Sequence, residues 1–156
     1  MQQDKIHTWT VHIDGASRNN PGPSGAGIAI KKDGEPVILE GFHLGIKTNN
    51  QAEYLALLLA LYFIKQYAKP TDIIRIASDS QLLVKQFQGI YRVRHEGLTP
   101  LHAIAHQLAK PFTIHMLHVM REDNILADAL ANKGIDSKKP IPADFKQFLV
   151  GHNITI

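Results

Sequence analysis

The chain contains no cysteine, which excludes a disulfide framework and any thiolate metal site. Long apolar runs are missing too. The longest, Leu55 to Ile64, is too short to span a bilayer. The first residues, Met1-Gln2-Gln3-Asp4-Lys5, lack the apolar core of a signal peptide. These absences lead to the expectation of a cytoplasmic protein with no membrane partner. Neither sign of charge dominates: the formal net charge is +3 and the pI about 9.2, compatible with a nucleic-acid partner without demanding one. No internal repeat or low-complexity tract is present. What remains is an ordinary globular composition, 44% hydrophobic over 156 residues, enough for one domain with a sizeable core. A monomer is expected.

Residues 8–14 alternate in the manner of a strand and lead into Asp14-Gly15-Ala16-Ser17-Arg18-Asn19-Asn20-Pro21-Gly22-Pro23. The Asn-Pro-Gly-Pro stretch reads as a turn, because proline has no N–H to donate to a ladder. Strands over 25–32 and 37–45 follow, joined by an Asp33-Gly34 hairpin, which makes an antiparallel meander. Asn50 reads as the N-cap of a long apolar helix over 52–67, with Glu53 at capping-box spacing, and Pro70 prevents its continuation. Residues 72–77 form a β-branched strand and 81–88 a helix closed by Gly89. After a polar, basic stretch, Thr99-Pro100 reads as an N-cap and first helical position. A strand over 112–120 follows, then a charged loop, then a helix over 125–133 stopped by Gly134. Phe145, Phe148 and Leu149 suggest one docking turn before a frayed end. This order gives an α/β domain with a mixed sheet. The nine histidines are scattered. His115 and His118 point to opposite faces of one strand and read as structural or surface residues.

Four acids stand where their type is unexpected. Asp14 ends a central strand, Glu53 opens an apolar helix, Asp79 follows a buried strand, and Asp128 lies inside the last helix between alanines. Each has a local explanation: a turn aspartate, a capping-box glutamate, a helix cap. Asp128 resists one, since aspartate is a poor interior helix former. Carboxylates that converge repel one another unless cations neutralise them. Hard oxygen ligands without cysteine suit Mg²⁺ or Mn²⁺. A pair of such ions activates water and stabilises the leaving oxygen of a phosphodiester. Spacing alone leaves open whether the four acids meet.

Four segments in order resemble the type 1 ribonuclease H family: Asp14-Gly15-Ala16-Ser17 with Asn20-Pro21-Gly22-Pro23, Thr48-Asn49-Asn50-Gln51-Ala52-Glu53, Ser78-Asp79-Ser80-Gln81, and Asn124 through Ala127-Asp128-Ala129-Leu130-Ala131-Asn132. The resemblance spans about residues 8–134. It implies a five-stranded sheet of order 3-2-1-4-5 with helices on both faces. It also implies that Asp14, Glu53, Asp79 and Asp128 bind two divalent ions and cleave the RNA strand of an RNA–DNA hybrid to 5′-phosphate products. Residues 1–137 would form the catalytic domain and 138–156 a C-terminal extension.

The same resemblance implies substrate roles. Asn20, Asn49 and Asn50 match positions that read RNA 2′-hydroxyls and base edges, the 2′-OH being what separates RNA from DNA. Thr48 matches a DNA-phosphate position and Ser80 a residue beside the metals. Tyr91 stands where relatives place an aromatic against the DNA strand, with Arg92 and Arg94 beside it for phosphates. The alternative there is a solvated loop with Tyr91 folded onto the core. Many relatives carry a histidine in the loop before the last aspartate. Here that loop is Met120-Arg121-Glu122-Asp123-Asn124, where Arg121 or Glu122 would assist product release. The stretch from Gly89 to Pro100 is too short for the basic protrusion of some relatives. Other readings are an enzyme acting on double-stranded or structured RNA, and a non-catalytic nucleic-acid-binding module.

Overall fold

Trp9, Val11 and Ile13 alternate with half-buried Thr8, Thr10 and His12, so strand β1 (Thr8–Ser17) turns one face to the core. This computed structural model describes residues 5–156; Met1–Asp4, the bulk of the segment read for a leader, lie outside the described residues. β2 (Gly22–Lys32) and β3 (Glu35–Lys47) complete the antiparallel meander, while β4 (Ile73–Ser78) and β5 (Thr113–His118) add in parallel. The order is β3-β2-β1-β4-β5, as the resemblance implied.

Helix α1 (Asn49–Tyr67) is buried along most of its circumference because it lies between β1 and α3 (Thr99–Ala109). α2 (Gln81–Phe87) leads from β4 toward the basic loop. α4 (Ile125–Ser137) packs on β1, β2 and β3. α1 and α4 take opposite faces of the sheet. Gly15 abuts α1, whereas Gly27, which pairs with the neighbouring Asp14, abuts α4. α5 (Ala143–Gly151) closes the core with Phe145 and Leu149, both fully buried.

Several local expectations are corrected. β1 and β2 run farther into the turn than expected. Pro23 sits inside β2, since its carbonyl still accepts from Arg18 N–H at 2.9 Å. The cap of α1 is Thr48, not Asn50, and its capping-box partner is Gln51, not Glu53. α3 begins at Thr99, with Leu98 rather than Thr99 at the cap. Gly134 does not stop α4, which continues to Ser137. A side chain at Gly134 would strike the backbone of Phe42, so the glycine serves close packing against β3. The C-terminal segment is a nine-residue helix rather than one turn. His115 and His118 are exposed.

Candidate active site

Asp14 lies within the central strand, paired with Gly27 of β2 and one residue beyond Ile13–Ser78, the last pair of the ladder with β4. The next residue is glycine for a steric reason. A Cβ on Gly15 would lie 2.2 Å from the carbonyl carbon of Ala52, so only glycine lets β1 touch the first turns of α1. That contact delivers Glu53. With Gln51 serving the cap, the Glu53 side chain is free to turn inward, where Oε1 accepts from Gly15 N–H at 2.9 Å and Oε2 from Ser78 Oγ at 3.4 Å. Asp79 follows β4 directly. Ser80, not Asp79, caps α2 by accepting from Leu83 N–H, which leaves the Asp79 carboxylate uncommitted to the helix. Oxygens of Asp14, Glu53 and Asp79 all lie within 4.8 Å of one another.

Asp128 arrives from the opposite face. It lies in the first turn of α4, not in its interior, and a carboxylate is favourable at a helix N-terminus. α4 lies close to the sheet because Gly27 and Gly41 leave room. Side chains there would meet Ala127 O at 2.0 Å and Leu130 O at 1.8 Å. Asp128 lines the same cavity of about 420 Å³ as the other three acids but stands outside the tight trio. Arg121 and Ser80 also line this cavity; Glu122 does not.

The electrostatics are those of a crowded, half-dry carboxylate cluster. Burial, chiefly, pushes the pKa of Asp14 from 3.8 up to about 7, and the charges of Asp79 and Asp128 add to the shift. Glu53 is pushed well above its ordinary value, first by burial and then by the charge of Asp14. A cation among these groups relieves both repulsion and desolvation. The donor set consists of carboxylate oxygens, which fits a hard divalent ion.

A second cavity of about 530 Å³ shares Asn49 and Asn50 with the first and gathers Asn20, Thr48, Arg92 and Arg94. Asn20 Oδ1 accepts from Asn49 N–H at 2.8 Å, and Asn49 Oδ1 accepts from Ser17 N–H at 3.1 Å. Their oxygens are therefore engaged, and each side-chain NH₂ is left to donate outward. Tyr91 lines neither cavity, and the residue is 44% exposed rather than folded onto the core. Sequence reasoning passed over Gln86 and His95, which line this second cavity. It also gave no role to Asn124. That buried amide donates to Ile13 O at 2.9 Å and to Asp79 Oδ2 at 3.4 Å, tying the ends of β1 and β4 to the start of α4. A signal existed in the polar residue just before the periodic run of α4.

A family profile described as "Reverse transcriptase-like" matches residues 12–134. Ribonuclease HI of Halobacterium salinarum is 38% identical over 138 residues, which cover 87% of this chain and 68% of that protein. This chain belongs to the type 1 ribonuclease H family. The crystal structure of ribonuclease H1 from Halobacterium salinarum aligns with a TM-score of 0.77 at 37% identity, over 83% of this chain and 98% of that one. A ribonuclease H1 from compost, solved in complex with an RNA/DNA hybrid, aligns with a TM-score of 0.78 at 32% identity, over 83% and 97%. A bifunctional protein of Mycobacterium tuberculosis is 37% identical over 131 residues, where this chain spans only 35% of its length. Ribonucleases H are divalent-metal-dependent hydrolases of nucleic acid, and the cluster of Asp14, Glu53 and Asp79 is a donor set of that kind. No helix among the described residues is long and apolar enough to cross a membrane.

Proposed function

We propose that the chain hydrolyses the RNA strand of RNA–DNA hybrids at the carboxylate cavity. The observation that carries this reading is the meeting of Asp14, Glu53 and Asp79 oxygens within 4.8 Å, with Asp128 on the same cavity wall. These four residues are the proposed ligands. When bound, two Mg²⁺ or Mn²⁺ ions supply an activated water and charge stabilisation at the leaving 3′ oxygen, giving 5′-phosphate and 3′-hydroxyl ends. The chain's own residues do the positioning. Glu53 is held by Gly15 and Ser78, and Asn124 restrains Asp79.

Asn49 and Asn50 border both the carboxylates and the second cavity, and Asn20 lines the second, which suits amides that read 2′-hydroxyls and minor-groove acceptors near the scissile bond. Thr48 Oγ accepts from Gln51 N–H and keeps its hydrogen for a DNA phosphate. Arg92 and Arg94 on the far wall suit backbone phosphates, which position rather than specify. Tyr91 is the exposed aromatic next to them, available to a deoxyribose. Ser80 and Arg121 stand at the cavity rim, where Arg121 suits the departing 5′-phosphate; Glu122 lies beside it in the same turn. We further propose that the protein acts as a monomer in the cytoplasm; all four proposed ligands come from one chain, as a monomer requires. We assign residues 1–137 to the catalytic domain and 138–156 to an extension docked through Phe145 and Leu149.

Labelled hybrid, double-stranded RNA, single-stranded RNA and double-stranded DNA, each incubated with Mg²⁺ or Mn²⁺, test the reading. Hybrid should be cut in its RNA strand, and Asp79→Asn should reduce cleavage to near background while leaving the circular dichroism spectrum unchanged. Cleavage by Asp79→Asn at the wild-type rate, or preference for double-stranded RNA, would refute it.

A further inference from the structure

On the α3 surface His102 and His106 are one helical turn apart, and their Nε2 atoms lie 3.2 Å from each other. A third donor is present, since the carbonyl oxygen of Gln86 is 3.2 Å from His102 Nε2. Both rings are held in place. Phe87 stacks on His106 with centroids 4.6 Å apart and planes 9° apart, and Tyr54 meets the edge of His102 at 6.3 Å. Two imidazole nitrogens on one tetrahedral ion, each about 2.0–2.1 Å from it, are separated by roughly 3.3 Å. The observed spacing is close to that of a chelate. Gln86 O lies in the last turn of α2, where it accepts from Gly89 N–H at 3.1 Å; a carbonyl oxygen has a second lone pair to offer an ion.

We propose that His102, His106 and the Gln86 carbonyl form a binding site for a borderline transition-metal ion such as Zn²⁺ or Ni²⁺, separate from the carboxylate cavity. Imidazole nitrogen selects these ions over Mg²⁺, so the two centres differ in chemistry as well as place. Water fills the rest of the coordination sphere. The ion bridges α2 and α3, the helices that flank the loop carrying Arg92, Arg94 and His95. Gln86 itself lines the cavity that those residues share, and its side chain accepts from Tyr54 Oη at 2.6 Å. Binding therefore stiffens the frame of that loop and raises the melting temperature by mass action.

Calorimetric titration with ZnCl₂ and with NiCl₂ tests the site in wild type, His106→Gln, His102→Gln and Asp79→Asn. Wild type and Asp79→Asn should share one binding event that either glutamine variant weakens by roughly 10²-fold or more, the loss expected when one arm of a chelate is removed. In the NMR spectrum of wild type, Ni²⁺ should broaden the imidazole signals of His102 and His106 before those of His115 and His118. Cleavage with Mg²⁺ alone should be unchanged in His106→Gln. No Zn²⁺ or Ni²⁺ binding in wild type would overturn the site. So would binding that survives His106→Gln but vanishes in Asp79→Asn, or equal broadening of all four histidines.

Discussion

Single residues at this site mostly do two jobs. Asn49 accepts a hydrogen bond from Ser17 with its oxygen and offers its NH₂ to the groove. Asn49→Asp keeps the acceptor and removes the donor, which separates the two jobs. Losing a donor in a desolvated contact costs about 0.5–1.5 kcal/mol, so kcat/KM on hybrid should fall by about 2- to 10-fold, as it should in Asn49→Ala. The Mg²⁺ dependence of cleavage should stay at the wild-type value in Asn49→Ala, which adds no charge to the carboxylate cavity, and the melting temperature should fall less in Asn49→Asp, which keeps the bond from Ser17 N–H. Wild-type kinetics in that variant would reduce Asn49 to a turn residue. Glu53 shows the opposite economy. The spacing from Asn50 to Glu53 invites a capping box, yet Thr48 and Gln51 make the cap. Shifting the cap two residues toward the N-terminus is what releases Glu53 for the cavity.

At the scale of elements, the decisive contacts are backbone against backbone. α4 rests on Gly27 and Gly41, and this seat sets how far Asp128 projects toward Asp14. In Gly27→Ala the new methyl would lie 2.0 Å from Ala127 O, next to Asp128, so the first turn of α4 must move. Overpacking of this kind costs about 1–3 kcal/mol, and the melting temperature should drop by roughly 2–4 °C for each of them. Single-turnover cleavage should slow as well, because Asp128 moves with the turn. A variant that is destabilised but cuts at the wild-type rate would show that the height of Asp128 is unimportant.

The whole molecule couples folding to pH and to metal. In the folded apoprotein Asp14 titrates at about 7, against 3.8 when free, so the folded state holds the extra proton between those values. Stability from this group is present at low pH and is lost as pH rises from about 4 through 7, since the unfolded chain binds fewer protons there. In EDTA the melting temperature contributed by the site should decline over that window. Mg²⁺ should therefore raise it more at pH 8 than at pH 5.5, and Asp14→Asn should flatten both effects in a series of thermal melts. Equal Mg²⁺ shifts at the two pH values would contradict the crowded-carboxylate account. The modest net charge of +3 has its own consequence. Arg92 and Arg94 carry much of the basic character of the groove, and each phosphate contact adds about 0.9 to the salt slope of binding. Replacing both with alanine should flatten the slope of KM across a salt series while leaving saturated single-turnover cleavage near wild type. An unchanged slope would put the DNA strand elsewhere.

The order of strands and helices, and the four acids as candidates, were legible from the sequence because periodicity, turn residues and short motifs act over a few residues. The sheet order was legible only through resemblance to a family. The boundaries that failed have two kinds of cause. The α1 cap turns on a local competition, Thr48 with Gln51 against Asn50 with Glu53. Gly134 and Pro23 are settled by distant partners: Gly134 answers to Phe42, and Pro23 stays in its strand because β2 pairs with β3 opposite Ile46; the placing of Asp128 answers likewise to the glycine seat under α4. The histidines read as scattered in the sequence, and the 3.2 Å approach of the His102 and His106 Nε2 atoms belongs to the folded α3 surface, where Phe87, Tyr54 and the end of α2 contact the two rings. Local chemistry decided which residue types were available to the site. Only the packing of α1 and α4 onto glycine positions of the sheet decided how near their carboxylates stand, because that separation depends on backbone approach between segments distant in the chain.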